Sequence, residues 1–435
     1  MTKKSTATRI WTTAFCLSVA AAPVAAAVIG HMTTAEPITE ARIAQLPPGQ
    51  QAEWTAYLAR SRALMAADKA ALAAERGTEA APPPPPGGPS GGAGMPLDRS
   101  PAWYAGAEAR RTADTIVSFQ TPAGGWGKNV DRSGPPRLRG QHYVPIETLP
   151  PNAREDIKSA DANWSYVGTI DNNATTTEIR FLARVQAQAP GPEGEAYRAS
   201  FLKGVHYLLA AQFPNGGWPQ VYPLQGGYHD AVTFNDDALC DVAALLSSIA
   251  ARKDDYAFVP DTLAGTARAS VAKAVQLILK TQVVIGGKRT VWGQQHDALT
   301  LAPVGARNFE PAALSSQESA KLLIFLMHQP SPSPEIKAAI ADGVEWLRGH
   351  ALHGVEWTRG KPGPDGRRLT PMPGAGPIWA RFYDLTEMKP IFGDRDKSIH
   401  DDVNDLSAER RNGYSWFGPQ PQKAIDAYQA RQARR

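Results

Sequence analysis

The sequence predicts an all-α protein, an α/α toroid in which helical pairs form an incomplete barrel and the loops carry only short irregular strands. Three observations lead to this class. Apolar residues repeat at helical spacing, no long run alternates with period two, and a glycine–tryptophan turn recurs along the chain. A single helix–turn unit of this kind cannot bury its own apolar face, so we expect successive units to stack around a common centre.

The helical spacing is supported by start signals. The clearest apolar sets fall within residues 179–185, 201–209, 239–249, 271–279, 322–326 and 336–347. The run Ser315-Ser-Gln-Glu318 has the form of a capping box, and Ser333 followed by Pro334 places a proline at a first helical position. Both signals predict that helices begin directly after these serines.

An internal repeat marks the turns between helices. The run Gln120-Thr-Pro-Ala-Gly-Gly-Trp126 matches Gln212-Phe-Pro-Asn-Gly-Gly-Trp218, and a diverged third copy extends from Gln282 to Trp292. Glutamine, proline and paired glycines followed by tryptophan predict a helix end, a tight turn and a large buried side chain. We expect Trp218 to serve packing.

The N-terminus has the features of an export signal. Lys3, Lys4 and Arg9 precede an apolar run, and Ala25 and Ala27 offer a cleavage site. The sequence therefore predicts a signal peptide over residues 1–27 and a secreted or periplasmic protein. An uncleaved anchor helix is the alternative, although the run is near the lower length limit for crossing a bilayer.

Composition divides the remaining chain. We expect a helical N-terminal segment over 28–80, exposed on the surface over 35–77, a Pro/Gly-rich linker over 81–97, and the main domain over 98–435. Cys240 is the one cysteine outside the signal, so no internal disulfide forms and this side chain is expected to be a small buried apolar group.

Charge gives little indication of a partner. The net charge is +4, of which Lys3, Lys4 and Arg9 contribute three, leaving +1 after cleavage. The sequence contains no nucleic-acid-binding motif and no basic stripe, so binding to nucleic acid is not expected. We expect a monomer without membrane association once the signal is removed.

Three polar clusters precede helices and would meet on one rim if those helices point the same way. Aspartate and asparagine oxygens suit a hard cation such as Ca²⁺, whereas simple helix capping explains Asp171 and Asp236 equally well. The clusters are Asp171-Asn172-Asn173, Asn235-Asp236-Asp237 and Arg307-Asn308-Phe309-Glu310.

Basic and histidine side chains complete the candidate site. Arg307, Arg381 and Arg395 carry planar guanidinium groups that bind carboxylates through two hydrogen bonds, and Lys128 follows the first repeat. For Arg395, a surface ion pair with a neighbouring aspartate is the alternative. His229 and His296 lack the close second histidine of a zinc site, so we expect them to line or brace a cleft.

With these residues the chain resembles polysaccharide lyase family 10, the pectate lyases with an α/α toroid fold. The resemblance covers nearly all of the main domain, and one departure is Lys397, which stands where glycine is expected. The matching stretches are 121–129, 169–178, 212–220, 233–238, 292–297, 307–311, 379–383, 391–396 and 409–416.

The resemblance implies a role for each matching residue. Arg307 corresponds to the catalytic arginine that abstracts the C5 proton of a galacturonate, and Asp171 and Asp236 correspond to acidic residues near Ca²⁺. Polygalacturonate is the implied substrate, cleaved to 4,5-unsaturated oligogalacturonates. The substrate-binding residues are expected to be Lys128, Asn172, His296, Arg381 and Arg395.

The chemistry is consistent with these residue types. Ca²⁺ on the substrate carboxylate acts as a Lewis acid and stabilises the anion that develops at C5. An arginine base needs a neutral fraction, although its pKa is ordinarily above about 12. Desolvation and neighbouring cations lower such a pKa, so we expect Arg307 to be surrounded by cations and activity to be highest at alkaline pH.

Three alternatives remain open on sequence alone. A terpene-cyclase-like protein would share the glutamine–tryptophan repeat and the acidic run at Asp236, but it needs an aromatic cavity. An α/α-toroid glycoside hydrolase would use Asp171 and Asp236 as paired carboxylates about 6.5–9.5 Å apart. A non-catalytic pectin-binding protein is the third.

Overall fold

The computed structural model describes residues 27–88, 94–145, 168–358 and 366–434. The predicted signal peptide, apart from Ala27, and the middle of the predicted linker lie outside these ranges. Among the described helices, none is both long and apolar enough to cross a membrane.

Helices dominate the described residues and confirm the all-α class. Every apolar set named above falls inside a helix, because a stripe repeating at three and four residues buries one helical face. The helices are α1 (Glu40–Ile43), α2 (Pro48–Arg76), α3 (Pro101–Tyr104), α4 (Ala107–Ser118), α5 (Thr176–Gln188), α6 (Glu195–Ala211), α7 (Ala238–Ala251), α8 (Asp261–Thr281), α9 (Ser316–Met327), α10 (Pro334–Gly349), α11 (Ala408–Asn412) and α12 (Gln420–Ala433).

The helices pack as successive pairs, as the toroid requires. Helix α5 contacts α6, α7 contacts α8, and α9 contacts both α10 and α12. The first members α5, α7 and α9 also contact one another in series. The loops that precede these three helices are therefore brought to the same region of the molecule.

Each repeat ends in a buried tryptophan that is bonded to the preceding helix. The indole Nε1 of Trp126 donates to Ile116 O at 2.7 Å, and that of Trp218 donates to Leu208 O at 2.8 Å. Trp292 in the diverged copy repeats this contact with Ile278 O. A fourth copy, which the sequence analysis missed, places Trp379 on Leu347 O at 2.7 Å.

The repeat glutamine and glycine have equally defined functions. Gln120 Nε2 donates to Gly124 O at 2.8 Å and to Ser200 O at 2.9 Å in a neighbouring helix, so it ties the turn to the ring. Gly124 has φ 107°, and an added Cβ would lie 2.8 Å from Lys203 O. Only glycine satisfies both the backbone angle and this close approach.

The strands are short, as expected, and they pair across loops. Strands β2, β4 and β8 directly precede the turns or helices that begin α5, α7 and α9, and each pairs with a strand from a following loop. The strands are β1 (Gly30–His31), β2 (Gly168–Thr169), β3 (Val221–Tyr222), β4 (Val232–Thr233), β5 (Val284–Ile285), β6 (Lys288–Arg289), β7 (Gln295–His296), β8 (Leu314–Ser315), β9 (Val355–Trp357), β10 (Leu369–Pro371), β11 (Trp379–Ala380), β12 (Phe382–Tyr383), β13 (Phe392–Gly393), β14 (Ser398–His400) and β15 (Phe417–Gly418).

Register fixes which loops meet. Thr169 lies opposite Val221, Thr233 opposite Gln295, and Ser315 opposite Phe382. Each pairing joins the start of a helix to the loop that follows a tryptophan turn. The loop ends of α5, α7 and α9 are therefore held at a defined spacing.

The two predicted helix starts are confirmed, but one cap differs. Helix α10 begins at Pro334, and Ser333 Oγ accepts from Ile336 N at 3.3 Å as a cap should. Helix α9 begins at Ser316, yet the Ser315 hydroxyl donates to the carboxylate of Glu318 instead of capping the helix. The reciprocal capping box is absent because the Glu318 carboxylate accepts hydrogen bonds from the Ser315 hydroxyl and from buried Arg381.

The N-terminal helical segment exists, but the expectation that it is exposed is wrong. Helix α2 buries Trp54 and Tyr57 against the main domain, where both rings contact Phe213. Tyr57 OH donates to Ala211 O at 2.9 Å. The sequence could not show this docking, because the partner surface comes from residues far away in the chain.

The described ends of the predicted linker are also attached. Gly88 N donates to Asn129 O at 2.7 Å, and Pro83 O accepts from the amide of Gln141 at 2.8 Å. Proline-rich backbone lacks its own hydrogen bonds, so its carbonyls are available to the neighbouring loops. Cys240 lies buried in α7, and burial raises its pKa well above the ordinary value, as expected for an unreactive thiol.

Candidate active site

Two acidic turns adjoin each other directly before α5 and α7. The turns Asp171–Asn173 and Asn235–Asp237 are in contact, so two of the three predicted polar clusters meet here. Asn172 has φ 51° and Asp236 has φ 49°, a left-handed conformation that asparagine and aspartate tolerate best among residues with a side chain. Backbone strain of this kind gathers at functional sites.

Asp171 is a buried carboxylate with one satisfied oxygen. Lys128 Nζ lies 2.6 Å from Asp171 Oδ2. The other oxygen, Oδ1, is buried and has no hydrogen-bond partner of ordinary geometry among the described residues. Burial alone would raise the pKa of Asp171, but the ammonium group of Lys128 outweighs it and holds that pKa below its ordinary value.

Asp236 is the more accessible acid, with 46% of its side chain exposed. Asn235 Nδ2 donates to Asp236 Oδ2 at 3.1 Å, and Arg381 Nη2 lies 3.7 Å from Asp236 Oδ1. Partial burial and then the charge of Asp171 raise the pKa of Asp236 to about 6. Two carboxylates that repel each other in this way favour a cation between them.

The capping alternative for these acids does not hold. Thr175 occupies the cap position of α5 and Asp237 that of α7, and neither Asp171 nor Asp236 caps these helices through its side chain. The unsatisfied Asp171 oxygen and the neighbouring Asp236 carboxylate are hard donors that fit Ca²⁺. Among the residues that the structure describes, no three His, Cys, Asp or Glu side chains are grouped so that they could hold a metal ion by themselves. Ca²⁺ takes six to eight oxygens, so a calcium ion bound here would need further oxygens from outside the protein side chains.

Arg307 is held by Glu310 through two parallel hydrogen bonds. Nε donates to Glu310 Oε2 at 2.8 Å, and Nη2 donates to Oε1 at 2.6 Å. Glu310 is buried and also accepts from Tyr414 OH at 2.7 Å. Burial opposes both charges, but their mutual attraction prevails: the pKa of Arg307 is well above its ordinary value and that of Glu310 well below.

Arg381 is a buried cation beside the Asp236 turn. Its Nη2 donates to Glu318 Oε1 and to Asn235 Oδ1, the latter at 3.1 Å. Burial would lower the pKa of Arg381, but Glu318 raises it above the ordinary value. Arg381 thus belongs to the site, but only 8% of its side chain is exposed.

The arginines of the site pack against two aromatic rings, those of Phe309 and Tyr414. The guanidinium carbons of Arg307 and Arg395 each lie 4.8 Å from the centroid of the Phe309 ring, and Arg410 lies 3.9 Å from it. Tyr414 lies 4.8 Å from Arg381. Cations are attracted to aromatic faces. These uncharged rings therefore hold several arginines close together and leave their positive charges in place.

Arg395 forms an ion pair with an acid of α11. Its Nε lies 3.2 Å from Glu409 Oε2. Glu409 is well exposed, so this ion pair contributes little to stability. The structure therefore brings together Lys128, Asp171, Asn172, Asp236, Arg307, Arg381 and Arg395.

His296 is the predicted site residue that does not reach the cleft. It is fully buried, its Nε2 accepts from Gly293 N at 3.0 Å, and its Nδ1 lies 2.8 Å from Leu301 O. Both ring nitrogens are committed to the backbone, so a role in binding substrate does not fit. His296 instead braces the loop that follows β7.

Three residues had no predicted role in holding the arginines. Glu310, Glu318 and Tyr414 fix the arginines, although their motifs were recognised. Glu310 stands three residues after Arg307, a spacing that was a usable signal in a turn.

His229 was predicted to line or brace a cleft. It is buried, and burial and then the charge of Lys128 lower its pKa to about 3.

The fold resembles that of solved polysaccharide lyase structures. Two structures of a family 10 polysaccharide lyase from Cellvibrio cellulosa are similar, one of them a mutant in complex with trigalacturonic acid. That complex is 32% identical with a TM-score of 0.63, covering 78% of this chain and 97% of that one. The other is 33% identical with a TM-score of 0.62, covering 78% and 96%. No curated protein matches the chain.

These similarities define the class: an α/α toroid polysaccharide lyase. The family model described as Pectic acid lyase matches residues 120–425. The chain therefore belongs to the pectic acid lyase family, which confirms the resemblance inferred from sequence. The hydrolase, terpene-cyclase-like and purely binding alternatives find no support in these similarities.

Proposed function

We propose that the protein is a pectate lyase that cleaves α-1,4-polygalacturonate by calcium-assisted β-elimination. The observation that carries the proposal is the contact between the two acidic turns beside the arginine cluster. The carboxylates of the acidic turns could bind a cation, and the neighbouring guanidinium groups could bind substrate carboxylates. Both would then act on the same polygalacturonate chain. The products would be 4,5-unsaturated oligogalacturonates.

Accessible cations would bind the substrate carboxylates. Lys128, Arg307 and Arg395 keep 35%, 38% and 28% of their side chains exposed. Each already bonds an acid of the protein, so binding exchanges one carboxylate partner for another or shares it. Arg381 is less accessible and lies against Asp236. Asn172 lies beside Asp171, and its Nδ2 donates to Asn129 Oδ1 at 3.3 Å.

Asp171 and Asp236 would hold the calcium ion. When bound, Ca²⁺ would withdraw negative charge from the substrate carboxylate and acidify the neighbouring C5 proton. Asp171 remains ionised because of Lys128, whereas Asp236 loses its proton only above about pH 6. Neutral to alkaline pH therefore prepares both ligands.

We propose Arg307 as the base. A neutral Arg307 would take the C5 proton, the electron pair of that bond would form the C4–C5 double bond, and the C4–O bond would break toward the departing chain. Arg395 and Arg410 are the cations expected near Arg307, since all three pack on Phe309. The pKa of Arg307 is nevertheless not lowered. Glu310 dominates and raises the pKa of Arg307. The neutral fraction is consequently small, and an alkaline optimum follows more strongly.

Product mass tests the reaction type. Elimination consumes no water, so each cut would yield one ordinary chain and one chain lighter by a water molecule. Mass spectrometry of digested polygalacturonate should show such unsaturated fragments. Fragments that are all saturated would instead require hydrolysis and would overturn the proposal.

A further inference from the structure

A strap formed by residues 28–42 precedes the long helix α2 and crosses the loops of the candidate site. It lies outside residues 120–425, the part matched by the family. It contains β1 and most of α1, and it ends before the α2 helix that docks on the main domain.

The first part of the strap holds the turn that carries Arg395. Strand β1 pairs with β14, and Met32 N donates to Lys397 O at 2.9 Å. Lys397 has φ 73°, in the left-handed region where a side chain is unfavourable and glycine was expected. The strap therefore supplies hydrogen bonds at the strained end of this turn.

The middle of the strap contacts the loop that carries Arg307. Thr34 forms a parallel bridge with Gly305, and Ala35 packs against Ala306 and Tyr228. The approach is so close that a Cβ added to Gly305 would lie 2.6 Å from Thr33 O. Four consecutive residues, 32–35, thus connect the loops of two site arginines that are far apart in sequence.

An ion pair anchors the end of the strap. Arg42 Nη2 lies 2.6 Å from Asp297 Oδ2, and only 18% and 7% of the two side chains are exposed. Arg42 Nη1 also donates to Glu36 O and Pro37 O at 3.1 Å, which fixes the strap itself. Asp297 Oδ1 accepts from Leu299 N and Thr300 N, so the anchor is a rigid turn.

We propose that the strap is a positioning element that sets the separation of Arg307 and Arg395 for binding a uronate chain. The inference rests on the proposed function of these arginines. Bidentate binding of carboxylates depends on the orientation of the guanidinium plane. A loop shift of about 1 Å costs on the order of 100-fold in rate, so a brace behind both loops matters although it touches no substrate.

Two strap variants in the full chain test this role. Met32→Pro removes the N–H that bonds Lys397, and Arg42→Ala removes the anchor. Glu53→Ala is the control, because Glu53 is an exposed residue of α2 in the same N-terminal segment and lies outside the strap. We expect kcat/KM for polygalacturonate to fall by about 10- to 100-fold in both strap variants, with KM raised about fivefold, and both to stay unchanged in the control. Loss of folded enzyme would lower kcat and leave KM unaltered.

Hydrogen exchange provides a readout that does not depend on activity. Backbone amides of residues 303–310 and 393–400 should exchange at least about tenfold faster in the strap variants, while those of α7 stay protected. If the loops loosen but the wild-type protein forms no unsaturated product, the proposed function fails and the positioning of the loops stands. Unchanged exchange and unchanged KM in both strap variants would overturn the strap proposal alone.

Discussion

Glu310 holds Arg307 by two hydrogen bonds, 2.8 Å from Nε to Oε2 and 2.6 Å from Nη2 to Oε1. This pairing orients the guanidinium group and at the same time raises its pKa. The residue proposed as the base is therefore well placed but strongly protonated. Its counter-ion determines at which pH a neutral fraction forms.

Replacing Glu310 should move the pH dependence of catalysis. In Glu310→Gln the negative partner is lost, so the pKa of Arg307 falls and the neutral base becomes available at lower pH. The alkaline limb of kcat should shift toward acid, even if the rate itself declines. Measurement of kcat from neutral to strongly alkaline pH checks this. A limb that stays in place would exclude Arg307 as the titrating base.

Arg307→Lys should separate chemistry from binding. Lysine keeps the charge but loses the planar fork that fits Glu310. We expect kcat to fall by about 100-fold or more, while the Kd for trigalacturonic acid changes only a few-fold. Arg289→Lys, at an exposed arginine away from the site, is the control. Turnover near that of the wild type would assign the base elsewhere.

Calcium affinity should depend on pH through Asp236. Its pKa is raised to about 6, so the carboxylate is neutral below that pH and charged above it. Titration calorimetry should show Ca²⁺ binding weakening from pH 7.5 to pH 5, with this pH dependence largely lost in Asp236→Asn. Equal affinity of the wild type at both pH values would contradict the assignment.

The same carboxylate should affect stability with a definite sign. A folded-state pKa above the unfolded value means that ionisation disfavours folding, so stability contributed by Asp236 is lost as pH rises toward about 6. Without calcium at pH 7, Asp236→Asn should raise the free energy of unfolding slightly. Chemical denaturation at pH 7 and pH 4 measures this, and a destabilised variant at pH 7 would contradict it.

The fourth tryptophan turn, at Trp379, should contribute as much to the free energy of unfolding as the second, at Trp218. Trp379→Phe and Trp218→Phe each remove an indole N–H bonded to a helix carbonyl and leave that carbonyl buried. Each should lower the free energy of unfolding by about 1–3 kcal/mol. Denaturation of the two variants tests whether Trp379 belongs to the repeat; a negligible effect at Trp379 alone would remove it.

The sequence predicted most of the helical ring because its signals are local. Apolar spacing, Ser333 before Pro334 and the glycine–tryptophan turns depend only on residues within a few positions of one another. The docking of α2 was not predictable in this way, since Tyr57 finds Phe213 and Ala211 only through the tertiary fold. Its many alanines and charges gave the misleading impression of an exposed helix.

The site was predicted by residue type better than by geometry. Asp171 and Asp236 converge as expected because their turns begin neighbouring helices. For His296 only the bracing alternative fits, because pairing of β7 with β4 turns its ring into the core, which no local pattern indicates. The pKa of Arg307 was expected to fall because neighbouring cations were considered without the nearer charge of Glu310.

Absorbance of unsaturated product from polygalacturonate at alkaline pH, measured with calcium and with excess chelator, distinguishes calcium-assisted β-elimination from other reactions. We predict a steady rise with calcium, loss of the rise with chelator, and its restoration when calcium is returned. Absence of any rise with calcium present would contradict β-elimination. A rise that chelator leaves unaltered would contradict the role assigned to Asp171 and Asp236.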